Sequence, residues 1–342
     1  MNPFSSQLID QLRQGTRLHH LPDGRTMLFP DEFGFCAGVR RAISLLCDTL
    51  KNRAGHRVWL LGPMIHNPVV NNWFMTQGVS IIPQNRLEEV FQLASPEETF
   101  VIPAFGLPQE LDTRLREYIR APGEIIDTTC AFVRKVWRAS EAAAGEGDAV
   151  FIHGKPGHQE TNGIESRIHG SCFTVSSPQA TQEWLDSHAI QHRLSSRQWT
   201  LVNQTTMSAD ETLQVARLLA QCPWHTAPFR VAGTICPATI ARQEAAKNLC
   251  QSGCDLMFVI GGTDSSNTTE LYHLAVKHLG AERCLFIEGV QGLHNQTIRH
   301  FVPGKGWATT PNTALRQAKI IGVLAGASCP DSELARLLTA LK

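Results

Sequence analysis

Eleven short apolar runs punctuate this chain from Thr26 onward: VWLLG, VSIIP, FVIPAF, EIID, AVFIHG, CFTVS, WTLVNQ, FRVAG, DLMFVIGG, CLFIEG and IIGVLAG. Amphipathic stretches such as RRAISLLCDTL and DETLQVARLLAQ lie between them. Strand-length runs alternating with helical patterns build βαβ units, so an α/β architecture with mainly parallel sheets is predicted. Several runs end directly in loops rich in Gly, Ser, Thr, Asn or His: LGPMIHN, PAFGLP, DTTC, IHGKPGHQE, VNQTTMS, GTICPAT, GGTDSSN and AGASCPD. Ligands of open α/β sheets bind beyond the carboxyl ends of the strands, so these loops are expected to line one cavity.

Three cysteines share one local setting, an apolar run, a tight loop and then a helical pattern: Cys36, Cys130 and Cys236. They stand roughly one hundred residues apart, about one small domain each. The expected organisation is an N-terminal extension over 1–28, with a short amphipathic helix around Leu8, Ile9 and Leu12, followed by α/β domains over 29–129, 130–233 and 234–342. A thiol at a helix start meets exposed N–H groups and the positive end of the helix dipole, which favour a thiolate. Three such thiolates describe a pseudo-threefold metal site in which one vertex of a cubane has no protein ligand.

Composition narrows the function. Thirty-one basic and 31 acidic side chains cancel, so no global field points to nucleic acid or to an anionic membrane. No run reaches the roughly 20 apolar residues of a membrane span, and residues 1–28 hold no signal-peptide core, so a cytoplasmic protein is expected. Ten scattered cysteines in 342 residues suit reduced thiols or metal ligands better than a disulfide framework. Cys47, Cys172, Cys222, Cys284 and Cys329 read as structural, as does the C-x3-C pair Cys250 and Cys254, which lacks a second pair.

The motifs GFCAGVRRAI, IHNP, DTTC, GHQE, QTT, ICPAT with RQEA following, SSN and AGAS occur in an order and at separations that resemble the LytB/IspH family of 4-hydroxy-3-methylbut-2-enyl diphosphate reductases. The resemblance covers about residues 29–332. It implies a trefoil of three similar α/β domains around a 4Fe-4S cluster held by Cys36, Cys130 and Cys236, with one iron lacking a protein ligand. The implied reaction is reductive removal of an allylic hydroxyl in isoprene biosynthesis, giving isopentenyl and dimethylallyl diphosphates.

By the same resemblance Glu160 of GHQE donates the proton and Thr205 of QTT assists it. His66, His158, Ser265, Ser266, Asn267 and Ser328 bind the diphosphate or the hydroxyl end of the substrate. A proton-donating carboxyl needs a raised pKa. Reduced ferredoxin or flavodoxin is the implied electron donor, since no G-x-G-x-x-G fingerprint appears.

One position departs from the pattern. The family typically has His in an Ala-His-Gly segment where this chain has Ala104-Phe105-Gly106. Losing a hydrogen bond to a charged group costs about 1.5 to 3 kcal/mol. Phe105 therefore leaves two readings open: the standard reaction with one anion contact fewer, or a related dehydroxylation of a less anionic or bulkier substrate. A non-catalytic iron-sulfur redox sensor and a three-thiolate zinc enzyme are the rivals from other classes. Read alone, Glu160 is a solvated carboxylate, GGTDSSN is a strand-to-helix loop capped by Asp264 or Ser265, and His153 has no clear role.

Overall fold

The computed structural model describes residues 3–52, 55, 57–188, 194 and 197–341. All eleven predicted runs form strands, distributed over three sheets. The fold is mixed α/β: two of the sheets are parallel throughout, and the third has three parallel pairings at its centre and three antiparallel ones toward its two edges. Two compact units are present, one built from Met1–Cys47, Ile65–Thr76 and Pro237–Lys342, the other from Asp48–Met64 and Gln77–Cys236.

The first unit holds a seven-stranded sheet in the order Leu18–His20, Thr26–Leu28, Ile320–Ala325, Leu256–Ile260, Cys284–Ile287, Thr297–Val302 and Gly306–Pro311. Successive residues of a strand face opposite sides, which explains why the central run LMFVI is apolar throughout. Leu256, Phe258 and Ile260 join a core with Met27, Val323, Leu334 and Leu337, while Met257 and Val259 pack on the other face with Leu271, Ala275 and Phe286. Both faces are covered, so no polar alternation is required.

Residues 1–28, read from the sequence as an extension, supply the helix Gln7–Gln14 and two of these strands. Ile9 and Leu12 of that helix are buried in the sheet's core. The antiparallel hairpin Thr297–Val302 and Gly306–Pro311 has no counterpart in the predicted runs. Its second strand alternates half-buried and exposed residues, so it carries no continuous apolar signal. The only cue was the turn sequence PGKG.

The second unit holds two four-stranded parallel sheets, ordered Phe229–Val231, Trp199–Asn203, Ala149–His153, Cys172–Val175 and Val79–Ile82, Val58–Leu61, Thr99–Ile102, Glu124–Asp127. A small set of contacts joins them. Gly106, at φ +76°, lies in the loop after Thr99–Ile102, and a Cβ there would lie 2.3 Å from the Trp137 ring. The Gln159 amide donates to the Gly106 carbonyl at 3.2 Å, and the Arg167 guanidinium sits 3.5 Å from the centre of the Trp137 ring while donating to the Leu107 carbonyl. The absence of a side chain at 106 is what lets the two sheets close on each other.

Gly106→Ala should therefore destabilise the chain by about 2 kcal/mol or more, through overpacking and positive-φ strain together. Gly145→Ala, where a Cβ meets nothing within 4 Å, should be near neutral. Urea unfolding midpoints compare the two, and equal midpoints would remove the packing argument.

Candidate active site

Register decides which loops meet. In the second unit Ile102 pairs with Asp127, so the loop after each strand leaves from the same sheet edge. The first loop carries Phe105 and the second Cys130, and the Cys130 amide donates to the Ala104 carbonyl at 3.0 Å. In the other sheet of that unit His153 pairs with Asn203, which brings the GHQE loop beside the QTT loop.

His158 caps the helix Gln159–Glu165, its Nδ1 accepting from the Glu160 amide at 3.1 Å. Phe105 approaches that imidazole edge to face, with ring centroids 6.0 Å apart. The Glu160 side chain turns inward and is fully buried. Its Oε1 accepts from the Thr205 amide at 2.6 Å and its Oε2 from Thr205 Oγ1 at 2.9 Å. Burial pushes the Glu160 carboxyl up to about 7, against the two Thr205 donors, which favour the charged form. The carboxyl can thus hold or release a proton near neutral pH. The Thr205 carbonyl in turn accepts from the Cys236 amide at 3.0 Å, so Glu160, Thr205 and Cys236 form one chain of contacts.

In the first unit Ile260 pairs with Ala325, which places the SSN loop and the AGAS loop at one edge. Ser265 is the N-cap of the helix Ser266–Leu279, and its hydroxyl accepts from Ser328 Oγ at 3.2 Å. Asn267 Oδ1 accepts from the Ala327 amide at 2.9 Å, and Asn67 donates to the Ser328 carbonyl at 2.9 Å. His66 lies beside Gly262: a Cβ on that glycine would stand 2.1 Å from the His66 carbonyl oxygen. His66, Ser265, Ser266, Asn267 and Ser328 are therefore held by one set of loops. Ser266 Oγ and Asn267 Nδ2 are buried and make no hydrogen bond. Leaving such donors unsatisfied is costly, and at the positive end of a 14-residue helix they suit an anion.

Each of the three singled-out cysteines stands where a helix begins. Cys36 precedes Ala37–Asn52, with its sulfur 3.4 Å from the Val39 amide; Cys130 is the N-cap of Ala131–Gly145; Cys236 precedes Pro237–Cys250. All three are half-buried and none is in a disulfide. Other thiols are poor thiolates: burial pushes Cys172 up to about 12, Cys250 to about 11 and Cys284 to about 12. Among the described residues no three His, Cys, Asp or Glu side chains converge on the position of a single metal ion.

One part of this arrangement escaped the sequence reading, and one residue left there without a role finds one. Gln204, fully buried, accepts at Oε1 from the Lys155 amide and Thr161 Oγ1 and donates to Thr206 Oγ1, fastening the GHQE loop to the QTT loop. Its place at the head of QTT was the available signal. His153 ends its strand at this edge, but its side chain is committed to the helix Ala209–Ala220: Nδ1 lies 2.9 Å from Thr212 Oγ1 in a fully buried position, and burial lowers its pKa to about 4.

Fold and site together define an α/β protein with helix-start thiols, a buried carboxyl with a shifted pKa and an anion-receptive helix start. The chain belongs to the LytB protein family, whose model matches residues 27–342. It is 30% identical to the 4-hydroxy-3-methylbut-2-enyl diphosphate reductase of a Synechocystis species, over 99% of this chain and 96% of the relative. It is 32% identical to the enzyme of that name from a Picosynechococcus species, over 96% and 86%. A solved (E)-4-hydroxy-3-methyl-but-2-enyl diphosphate reductase, described as the terminal enzyme of the non-mevalonate pathway, superposes with a TM-score of 0.60 at 27% identity, covering 92% of this chain and 98% of that one. The Plasmodium falciparum reductase shares the fold, with a TM-score of 0.74 at 21% identity over 92% and 87%.

The Glu160 shift has a pH signature. The folded chain keeps this proton between the ordinary carboxyl value of 4.5 and about 7, where the unfolded chain has lost it. Stability from the group is therefore complete below pH 4.5 and is lost as the pH rises through 7. Glu160→Gln should lack this loss, gaining on the parent by on the order of 3 kcal/mol between pH 4.5 and 8. Thr205→Val, which removes one donor to the charged form, should move the carboxyl titration above 7. Carboxyl carbon shifts read by NMR check this; a titration at or below 7 in the variant would dissociate the hydroxyl from the carboxylate.

Proposed function

We propose that this chain is an iron-sulfur reductase that removes the allylic hydroxyl of (E)-4-hydroxy-3-methylbut-2-enyl diphosphate, yielding isopentenyl and dimethylallyl diphosphates. The observation that carries the reading is the buried Glu160 carboxyl on Thr205, one residue contact from Cys236. Family membership and the named relatives support it. Cys36, Cys130 and Cys236 would hold a 4Fe-4S cluster with one iron lacking a protein ligand, and their chemistry suits it: helix-start thiols outside any disulfide. When bound, such a cluster supplies a Lewis acid and a one-electron relay.

The overall change consumes two electrons and two protons: the carbon-oxygen bond breaks, the hydroxyl leaves as water and the allyl carbon gains hydrogen. Glu160 holds a proton at its carboxyl in the neutral range and delivers it to the departing oxygen. Thr205 keeps the carboxylate oriented after the proton has left, through its amide and hydroxyl. Ser265, Ser266, Asn267 and Ser328, with His66 and His158, bind the diphosphate or the hydroxyl end without a Lys or Arg cluster. Neutral donors at a helix start orient an anion and leave the net charge of the pocket low. Burial of Glu160 keeps water from competing for its proton. The electrons come from reduced ferredoxin or flavodoxin. No helix among the described residues is long and apolar enough to cross a membrane.

Phe105 favours a second reading, a related reductive dehydroxylation of a substrate that is less anionic or more apolar where the ring sits against His158.

Anaerobic turnover with a reduced mediator and the hydroxylated allylic diphosphate, with product analysis, tests the first reading. Both five-carbon diphosphates are expected, and Glu160→Gln should lower the rate by about 10²- to 10⁴-fold. A cluster-loaded chain that leaves this substrate unchanged would reject it. Phe105→His should tighten substrate binding by roughly ten- to a hundredfold if the standard substrate is native. Unchanged or weaker binding would favour the second reading.

A further inference from the structure

The family match begins at residue 27, yet the residues before it are packed around the loop that carries Cys36. Three consecutive residues of that loop are each gripped. Arg13 donates both guanidinium nitrogens to the two carboxylate oxygens of Asp331, one bond at 2.7 Å, and its Nη2 also reaches the Phe33 carbonyl at 3.4 Å. The same guanidinium lies 4.9 Å from the centre of the Phe33 ring. Gly34 sits at φ +73°, and a Cβ there would be 2.8 Å from both Arg13 Nη2 and Asp331 Oδ1. Its carbonyl accepts from Arg242 Nη2 at 2.7 Å. Phe35 is met edge-on by Phe4, whose ring also contacts Trp73 and Phe74 at centroid distances of 5.2 and 6.1 Å. The Phe4 carbonyl accepts from the Ser332 amide, so this segment also touches the start of the helix that follows Ser328.

We propose that the N-terminal segment, through Arg13 and Phe4, is a brace that positions Cys36 as a cluster ligand. Arg13 and Phe4 are positioning residues, acting through Phe33, Gly34 and Phe35. This inference rests on the reading of Cys36 as a ligand. The physical case is the asymmetry of the grip. Asp331 is 4% exposed, and a buried carboxylate is stable only while its partner is in place. Removing the arginine therefore frees the loop on one side and leaves Asp331 to recruit another partner, the nearest cation being Arg40 at 3.9 Å, on the helix that Cys36 begins. Either response displaces the cysteine.

The test uses the full chain and compares the parent with Arg13→Gln, Arg13→Lys and Phe4→Ala. Amide hydrogen exchange of segment 33–40 is measured, with strands Leu256–Ile260 and Ala149–His153 as folding controls, together with the rate at which a chelator strips iron from the reconstituted protein. Arg13→Gln is expected to speed exchange in 33–40 by about tenfold or more, and iron loss by a similar factor, with both control strands unchanged. Arg13→Lys keeps the charge but not the fork, so it should recover part of both effects. Phe4→Ala should move both readouts in the same direction as Arg13→Gln. Unchanged exchange in 33–40 overturns the brace, and so does faster exchange with unchanged iron loss. If Arg13→Gln also loosens the control strands, the lysine and Phe4 variants decide by the same two readouts. A parent that takes up no iron refutes the ligand reading instead, and the exchange data then judge the brace by themselves.

Discussion

Parallel pairing in register is the constraint on which the candidate site depends. Ile102 beside Asp127, His153 beside Asn203 and Ile260 beside Ala325 each end two strands at the same height. The loops that follow must then leave from a common edge, and each pair of loops carries candidate site residues that are distant in sequence. Glu160 and Thr205 are 45 residues apart, and Ser265 and Ser328 are 63 apart, yet each pair is within hydrogen-bond reach. Hydrophobic burial on both faces holds that register, because the central strands cannot slip without moving every side chain to the other face. Fully buried Phe151 and Phe258 lie at the middle of two such strands.

Once the edges are set, burial tunes the chemistry. The Glu160 carboxyl has two donors from Thr205 and, among the described residues, no cation that offsets its burial, so desolvation outweighs the hydrogen bonds and the group stays protonated into the neutral range. A lysine or arginine in contact would have cancelled that shift. The same restraint appears around Ser266 and Asn267, where an anion-receptive helix start is furnished with neutral groups. Charged pairs such as Arg13 with Asp331 and Arg230 with Asp148 serve the framework.

Much of the fold was legible because the central strands, such as Val58–Leu61, Ala149–His153 and Leu256–Ile260, are buried on both faces and almost wholly apolar, and the less buried runs beside them still stood out as short apolar stretches between helical patterns. The hairpin Thr297–Val302 and Gly306–Pro311 was not, because its outer strand alternates and its pairing is antiparallel. The N-terminal segment was legible as a short amphipathic helix near Ile9 and Leu12, but Phe4 and Arg13 have partners hundreds of residues away or on other loops, which no local pattern records. Among the site residues, Cys36, Cys130 and Cys236 could be placed at helix starts from their flanks alone. Gln204 and Asn67 lay inside recognisable motifs, and their tasks, fastening one loop to another, exist only after folding.

By itself the sequence determined the α/β class, the helix-start setting of three thiols and the residue types that make up the chemistry, since strand and helix periodicity and motif order are local properties. Tertiary structure alone decided that Glu160 is buried against Thr205 with its proton held to about pH 7, that His153 is withdrawn into the sheet, and that residues before the family match grip the Cys36 loop. A pKa, an orphaned donor or a brace depends on what surrounds a side chain in space. In this chain those surroundings come from segments brought together by strand register and buried apolar area.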